Sequence, residues 1–501
     1  MRQETAMTVD LPFGPGAAVV VALYLLVLLI IGIFAYRSRR EESLSDFYLG
    51  GREMGLLVMF FTLYATQYSG NTLFGFSGAA YREGFRFLVC VHFMTAIVLA
   101  YLLLAPPLYR LSRRWNFVTP GDYIEHRFRS PALRVAVTLI MIYVLCNFTL
   151  AQMKTLGTAF EGLSQGRVPM WMGVVGLALI MLIYESLGGM RSVAWTDVLQ
   201  GVILMLGFAL VLWMAFHTLG DLPSAVRRLA GDPATRYKVT PPDAEGLRTW
   251  LSFILMVGLG GALYPQAIQR IYAARRARTL KRSLALMVWM PLVTALVSVV
   301  VGVLMAAYRP EAVAVSRGVV PSETVLTRLC LEVMQGSDLG YWVVVLLFAA
   351  ILAAVMSTAD SALLSISSML TRDLYGRFLR PQAGQAHLTR VGRGLTWILL
   401  APIVWLALTY EGTLIDLLKV KFDLLVQCVP AFYLGVHWPG LRARAVFWGL
   451  LAGTAGTLAL VMLGYGTLWG FHSGLWGLAV NLAVCLAGSL FPKTVSGPRQ
   501  A

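Results

Sequence analysis

Charge is scarce in this chain. Acidic and basic residues fill 13% of its 501 positions, about half the share usual in soluble globular proteins. Cysteine is sparse too. Cys90, Cys146, Cys330, Cys428 and Cys485 are odd in number, sit in apolar stretches and show no CxxC spacing, which excludes a disulfide framework and a zinc site. The six histidines form no ligand cluster. There is no glycine-rich phosphate loop of the Walker type, so an ATP-driven engine is excluded, and no nucleophile–base or metal constellation supports an enzyme.

What is abundant is apolar. Hydrophobic residues make up 58% of the chain, with a mean hydropathy of +0.71. Runs of about 20 such residues, each long enough to cross a bilayer as a helix, recur from end to end. The chain reads as an all-α integral membrane protein of about thirteen transmembrane helices. They are expected to start near Ala17, Gly55, Phe87, Leu133, Pro169, Val193, Thr249, Leu284, Tyr341, Gly394, Thr413, Ala445 and Leu468. The stretch from Ala17 to Tyr36 is too long for a cleaved signal peptide, and its cations follow it rather than precede it.

The net charge of +16 fits basic loops between spans better than nucleic-acid binding. With the N-terminus outside, the inner loops and C-terminal tail, including "RSRREE", "RRARTLKR" and "LRARA", hold roughly 24 of the 41 Lys and Arg. The expected topology is therefore multi-pass in the cell's inner (plasma) membrane, N-terminus outside and C-terminus cytoplasmic. The expected partners are the lipid bilayer and a small-molecule solute.

Two spans carry similar interruptions. The second reads "LLVMFFTLYATQYSGNTLFGFSGAAY", with Thr66, Gln67, Ser69, Gly70 and Asn71 at mid-depth; the seventh reads "WLSFILMVGLGGALYPQAIQR", with Gly258, Gly260, Gly261 and Pro265. In lipid, carbonyls freed by such breaks must find partners. Broken segments at matching places in two five-helix halves point to an inverted-repeat transporter with its site at the break, although glycine-rich stretches also serve close helix packing.

The stretch "MSTADS" supplies the chemistry. On a helix, Ala354, Ser357, Thr358 and Ser361 share one face. The Ser357 and Thr358 hydroxyls and the Ala354 carbonyl, with carbonyls near Ala65 and Tyr68 from the broken span opposite, offer about five hard oxygens of little formal charge, which suits a monovalent cation. The alternative is a pair of hydroxyls bonded back to their own helix. Asp360, beside that face, can ligate, shape the field or cap a neighbouring helix. Asp197 is expected near the inner surface within reach of water, on the cation's exit path or as a helix-start carboxylate. Lys154, inside the fourth span, can draw a substrate carboxylate, pair with Glu161 or Asp360, or reach the outer surface. Gln67, Asn71, Phe74, Gln152, Tyr264 and Gln266 complete the candidate solute-binding set, with Tyr64, Tyr68 and Gln269 nearby.

The segments "DFYLGGREMG", "GGMRSVAWTDVLQG", "YPQAIQRIYAARRARTLKR", "AAVMSTADSALLSISSMLTRDLY" and "QCVPAFYLGVHW" resemble those of the sodium:solute symporter family, over nearly the whole chain. The resemblance implies a LeuT-type fold: a 5+5 inverted-repeat core with one extra helix before and two after. It divides the chain into 1–45 (extra helix and loop), 46–216 (first repeat), 217–440 (outer loop and second repeat) and 441–501 (two C-terminal helices and tail). It also implies sodium as the coupling ion, held by Ala65, Tyr68, Ala354, Ser357 and Thr358, with Asp197 assisting coupling. The extra hydroxyls of Ser361 and Ser365 mark a candidate second cation position. Where proline permeases carry an aspartate, this chain has Gln67, which argues against a proline permease and leaves the stoichiometry open.

The reading is a sodium-coupled symporter importing a small carboxylate, amino acid or vitamin by alternating access. Its rivals are a proton-coupled symporter and a transporter-like nutrient sensor; the chain ends at "FPKTVSGPRQA", so a sensor would need a separate partner.

Overall fold

The computed structural model describes residues 14–38, 41, 43–164, 166–310 and 324–490. Its principal helices are α1 (Gly14–Arg37), α2 (Leu56–Gln67), α3 (Gly70–Glu83), α4 (Val89–Trp115), α5 (Pro120–Phe128), α6 (Pro131–Leu163), α7 (Met170–Gly188), α8 (Met190–Thr218), α9 (Ala244–Gly261), α10 (Pro265–Ala273), α11 (Ala295–Tyr308), α12 (Asp338–Met369), α13 (Gln385–Thr409), α14 (Leu414–Leu425), α15 (Ala443–Met462) and α16 (Ser473–Leu490). Ten helical stretches among the described residues are long and apolar enough to cross a membrane, eleven when α9 and α10, bent by 47°, count as one. The expected thirteen exceed this where helices are interrupted, since α2 and α14 are each only 12 residues long.

Span starts differ from expectation where local chemistry intervenes. The eighth was expected near Leu284, but Pro291 and Thr294 divide that region into short pieces before α11. The tenth begins nine positions before Gly394 because a polar turn, "QAHLTRVGRG", extends the helix beyond its apolar run. The last begins at Ser473, not Leu468. There Thr467–Leu468 and Phe471–His472 form a hairpin, and Gly470 takes the φ of +84° that its turn requires. Among the described residues this hairpin and a single parallel bridge between Met54 and Ala274 are the departures from an all-helical chain.

The core is built around α12, which is buried along most of its length and packs against α6, α8 and α2. The second span breaks as its polar stretch suggests. Tyr68 and Ser69 are extended (φ −103°, ψ 106° and φ −113°, ψ −179°), and Ser69 and Thr72 form a capping box that starts α3. Gly70 is needed here: a Cβ would lie 2.7 Å from Thr155 Cγ2 on α6 and 2.8 Å from Val355 Cγ2 on α12. The seventh span breaks between Gly261 and Pro265.

At the end of the bundle bearing the basic loops, α12 runs on as a wide-turned helix to Leu379. This carries Asp373 onto Arg134 (2.5 Å), Thr119 (2.7 Å) and Thr138 (3.1 Å), and Arg372 onto Asp122 (2.7 Å). Arg134 also reaches Asp122 at 3.1 Å, closing a buried ionic latch between α5, α6 and α12.

Candidate ion and solute site

A helix leaves its last four carbonyls without intrahelical partners. The break after Gln67 does this to α2 in the middle of the bundle. Tyr64 O is taken by the Tyr68 N–H at 3.0 Å. Ala65 O instead meets α12: Ser357 Oγ donates to it at 3.1 Å and Thr358 Oγ1 at 3.3 Å, and Ser357 Oγ lies 3.3 Å from Ala354 O. All these residues are fully buried. Sodium has nearly the radius of calcium, which holds its oxygens at about 2.3–2.6 Å, so ligands at right angles about such an ion lie roughly 3.3–3.7 Å apart. The observed spacing needs only a slight expansion. The oxygens are uncharged, and the C-terminal end of α2 adds a partial negative charge. Four of the five expected ligands thus converge, and Tyr68 stands at the break itself.

Behind this cage lies a residue that sequence reading passed over. Arg270 on α10 is fully buried. It donates to Asp197 Oδ2 (3.0 Å), Thr62 Oγ1 (2.7 Å), Ser361 Oγ (2.5 Å) and Gln266 O (3.1 Å). Thr62 also donates to Asp197. Asp197, expected within reach of water, is fully buried instead, because the guanidinium satisfies its charge; its Oδ1 has no hydrogen-bond partner. The candidate second cation position at Ser361 and Ser365 already has a resident cation beside it. Arg270 holds Ser361, and Ser365 donates to Gln269 Oε1 at 2.6 Å. The signal available in the sequence was a lone arginine in the apolar run "PQAIQRIYAA", apart from the basic loop after it.

Asp360 lies beside the cage, its Oδ1 3.4 Å from the Ser361 hydroxyl. Its Oδ2 accepts from Tyr184 Oη on α7 at 2.6 Å. Lys154 does not reach the solute region: its Nζ donates to Gly412 O and lies 5.1 Å from the Tyr410 ring centre, in the turn before α14.

On the other side of the break, at the start of α3, lies a tight cleft of about 30 Å³. Gln67, Ser69, Asn71 and Thr72 line it from the broken span, Phe148 from α6, Tyr264 from the second break, and Lys421 and Phe422 from α14. Phe148 and Tyr264 stack at 5.0 Å. Of the candidate solute ligands, Gln67, Asn71 and Tyr264 are thus brought together. Gln152 acts one step behind, its Oε1 accepting the Gly70 N–H at 3.2 Å and so capping α3. Phe74 and Gln266 are buried but do not line the cleft.

A model of the sodium:solute symporter family matches residues 47–453. The chain belongs to the sodium:solute symporter family. Among its relatives, the osmoregulated proline transporter of Bacillus subtilis is 26% identical over 94% of both chains. The sodium/pantothenate symporter of Escherichia coli is 27% identical over 94% of this chain and 96% of that one. A sodium-coupled sialic acid symporter, solved substrate-bound and outward-open, shares the fold with a TM-score of 0.78 at 19% identity, covering 96% of this chain and 99% of that one. As a family member the chain is a multi-pass membrane transporter that uses sodium, and the relatives named here are transporters.

Proposed function

We propose that the protein imports a small organic solute by sodium-driven alternating access, with sodium held by the carbonyls of Ala65, Tyr68 and Ala354 and the hydroxyls of Ser357 and Thr358. The observation carrying this reading is the Ala65 carbonyl, released by the break in α2 and facing both hydroxyls within 3.3 Å. Without the ion, the hydroxyls bond that carbonyl; with it, their lone pairs turn to the cation. Sodium thereby ties the broken span to α12 and favours the state whose cleft is open to solute. Coupling follows because the ion binds one state more tightly than the other. The membrane potential adds roughly 2.3 kcal/mol per charge per 100 mV.

In this reading ten of the thirteen spans form a LeuT-type 5+5 core, with one helix before and two after and the N-terminus outside, and the breaks in α2–α3 and α9–α10 are equivalent points of its two repeats. Asp197, with one oxygen free of hydrogen bonds, assists ion passage, and Asp360 tunes the field behind the cage through Tyr184. The relatives' solutes, proline, pantothenate and sialic acid, set the range of size.

The test is reconstitution in liposomes, with sodium and proton gradients imposed separately across a panel of labelled carboxylates, amino acids and vitamins. Sodium-driven accumulation, abolished by Ser357→Ala with Thr358→Ala, is expected. Uptake driven equally by a pH gradient without sodium would replace sodium with the proton, and binding without uptake would make the protein a sensor.

A further inference from the structure

Lys421 takes no part in the ion cage. It sits on α14 with 2% of its surface exposed and lines the cleft at the break. Its ammonium lies 3.9 Å from the centre of the Phe148 ring, and among the described residues it makes no hydrogen bond or ion pair. The nearest acid in sequence, Asp423, is engaged elsewhere, accepting the Gly474 N–H at 2.8 Å and the Ser473 hydroxyl at 3.3 Å. An ammonium removed from water is costly to keep charged. A cation–π contact offsets only part of that cost.

The rest of the cleft is complementary to an anion. Its floor is the N-terminal end of the 14-residue helix α3, the positive end of its dipole. Among the described residues, no Asp or Glu lines it, so a solute's own ammonium would meet no carboxylate. Phe93, Met94 and Ile97 supply an apolar wall.

We propose that Lys421 selects the charge of the solute: the cleft takes a carboxylate bearing no compensating ammonium, its acid group between Lys421 Nζ and the start of α3, its apolar body on the Phe93–Met94–Ile97 wall. This rests on the cleft being the solute site of the symporter proposed above. The break then serves both cargoes. The negative end of α2 faces the cation, and the positive end of α3 faces the anion.

The test measures thermal stabilisation of the purified full-length protein in sodium by butyrate and phenylacetate, by their amides, and by L-proline and L-phenylalanine. The acids are expected to bind at least about tenfold more tightly than the amides or zwitterions. Lys421→Met should weaken the acids roughly ten- to one-hundred-fold, while stabilisation by sodium alone persists and reports that the variant is folded. Lys421→Arg, which keeps the charge, should retain the preference for acids. Equal binding of amides or zwitterions, or acid binding indifferent to Lys421→Met, would overturn the proposal. Lys421-dependent acid binding without sodium-driven uptake would uphold it while removing the symport reading. Sodium-driven uptake of a zwitterion that ignores Lys421→Met would do the reverse.

Discussion

Removing Arg270 should damage the protein more than removing almost any other single side chain. The guanidinium and its partner Asp197 are both fully buried, and the guanidinium ties α10 to α2, α8 and α12 through Thr62, Asp197 and Ser361. Arg270→Ala leaves the Asp197 carboxylate with Thr62 alone; Asp197→Asn leaves a guanidinium charge without its counter-ion. Breaking a buried pair in this way costs about 3–5 kcal/mol, whereas removing both charges together is often close to neutral. The double variant Asp197→Asn with Arg270→Ala should therefore lose less stability than the sum of the two single variants. Sodium affinity should fall as well, since Ser361 donates to Ser357 O at 2.7 Å on the wall of the cage. The assay is thermal unfolding of detergent-solubilised protein by fluorescence-detected size exclusion, with and without sodium. Single variants as stable as wild type, or a double variant as poor as the sum of the two, would refute the reasoning.

Three further outcomes follow from the packing. Gln152→Leu leaves the buried Gly70 N–H without its acceptor, which should cost roughly 1–3 kcal/mol and weaken both ion and solute binding in equilibrium titrations. A methyl on Gly302 of α11 would strike the Ser77 carbonyl and sit 2.8 Å from Tyr81 N on α3; Gly302→Ala should lower stability by about 1–3 kcal/mol. Gly456→Ala on α15, with nothing within 4 Å, should gain roughly 0.5–1 kcal/mol in the same thermal assay. In the ionic latch, burial pushes the Asp122 carboxyl up, but Arg372 and Arg134 outweigh it and hold it below its ordinary value. A depressed carboxyl stabilises the fold above its unfolded value and loses that contribution as pH falls through its folded one. Asp122→Asn should therefore unfold more easily than wild type at pH 7, and the gap should narrow below about pH 4.

The sequence carried much of this architecture because lipid imposes simple rules. Apolar length marked the spans, and polar residues at mid-depth marked the break at Tyr68–Ser69. Two hydroxyls on one face of "MSTADS" marked the wall opposite. What it hid were pairings across long stretches of chain. Thr62 and Arg270 are 208 positions apart, and Asp197 and Arg270 are 73 apart; nothing local in "QAIQRIYAA" states which carboxylate it meets. Lys421 was hidden differently. The run "IDLLKVKFDLL" offers two lysines and two aspartates, and only the fold turns Asp423 towards Gly474 and leaves Lys421 on the Phe148 ring. Lys154 is the cation of the apolar fourth span, yet it engages the turn at 410–412 and does not line the cleft.

The central claim is that a helix broken at residues 68–69 sets its Ala65 carbonyl against two hydroxyls of α12 to hold sodium. Equilibrium binding of radiolabelled sodium to the purified protein tests it most directly. Saturable binding by wild type that is lost in Ser357→Ala with Thr358→Ala, while the variant still unfolds cooperatively in the thermal assay, is the predicted result. Undiminished sodium binding by that folded double variant would contradict it.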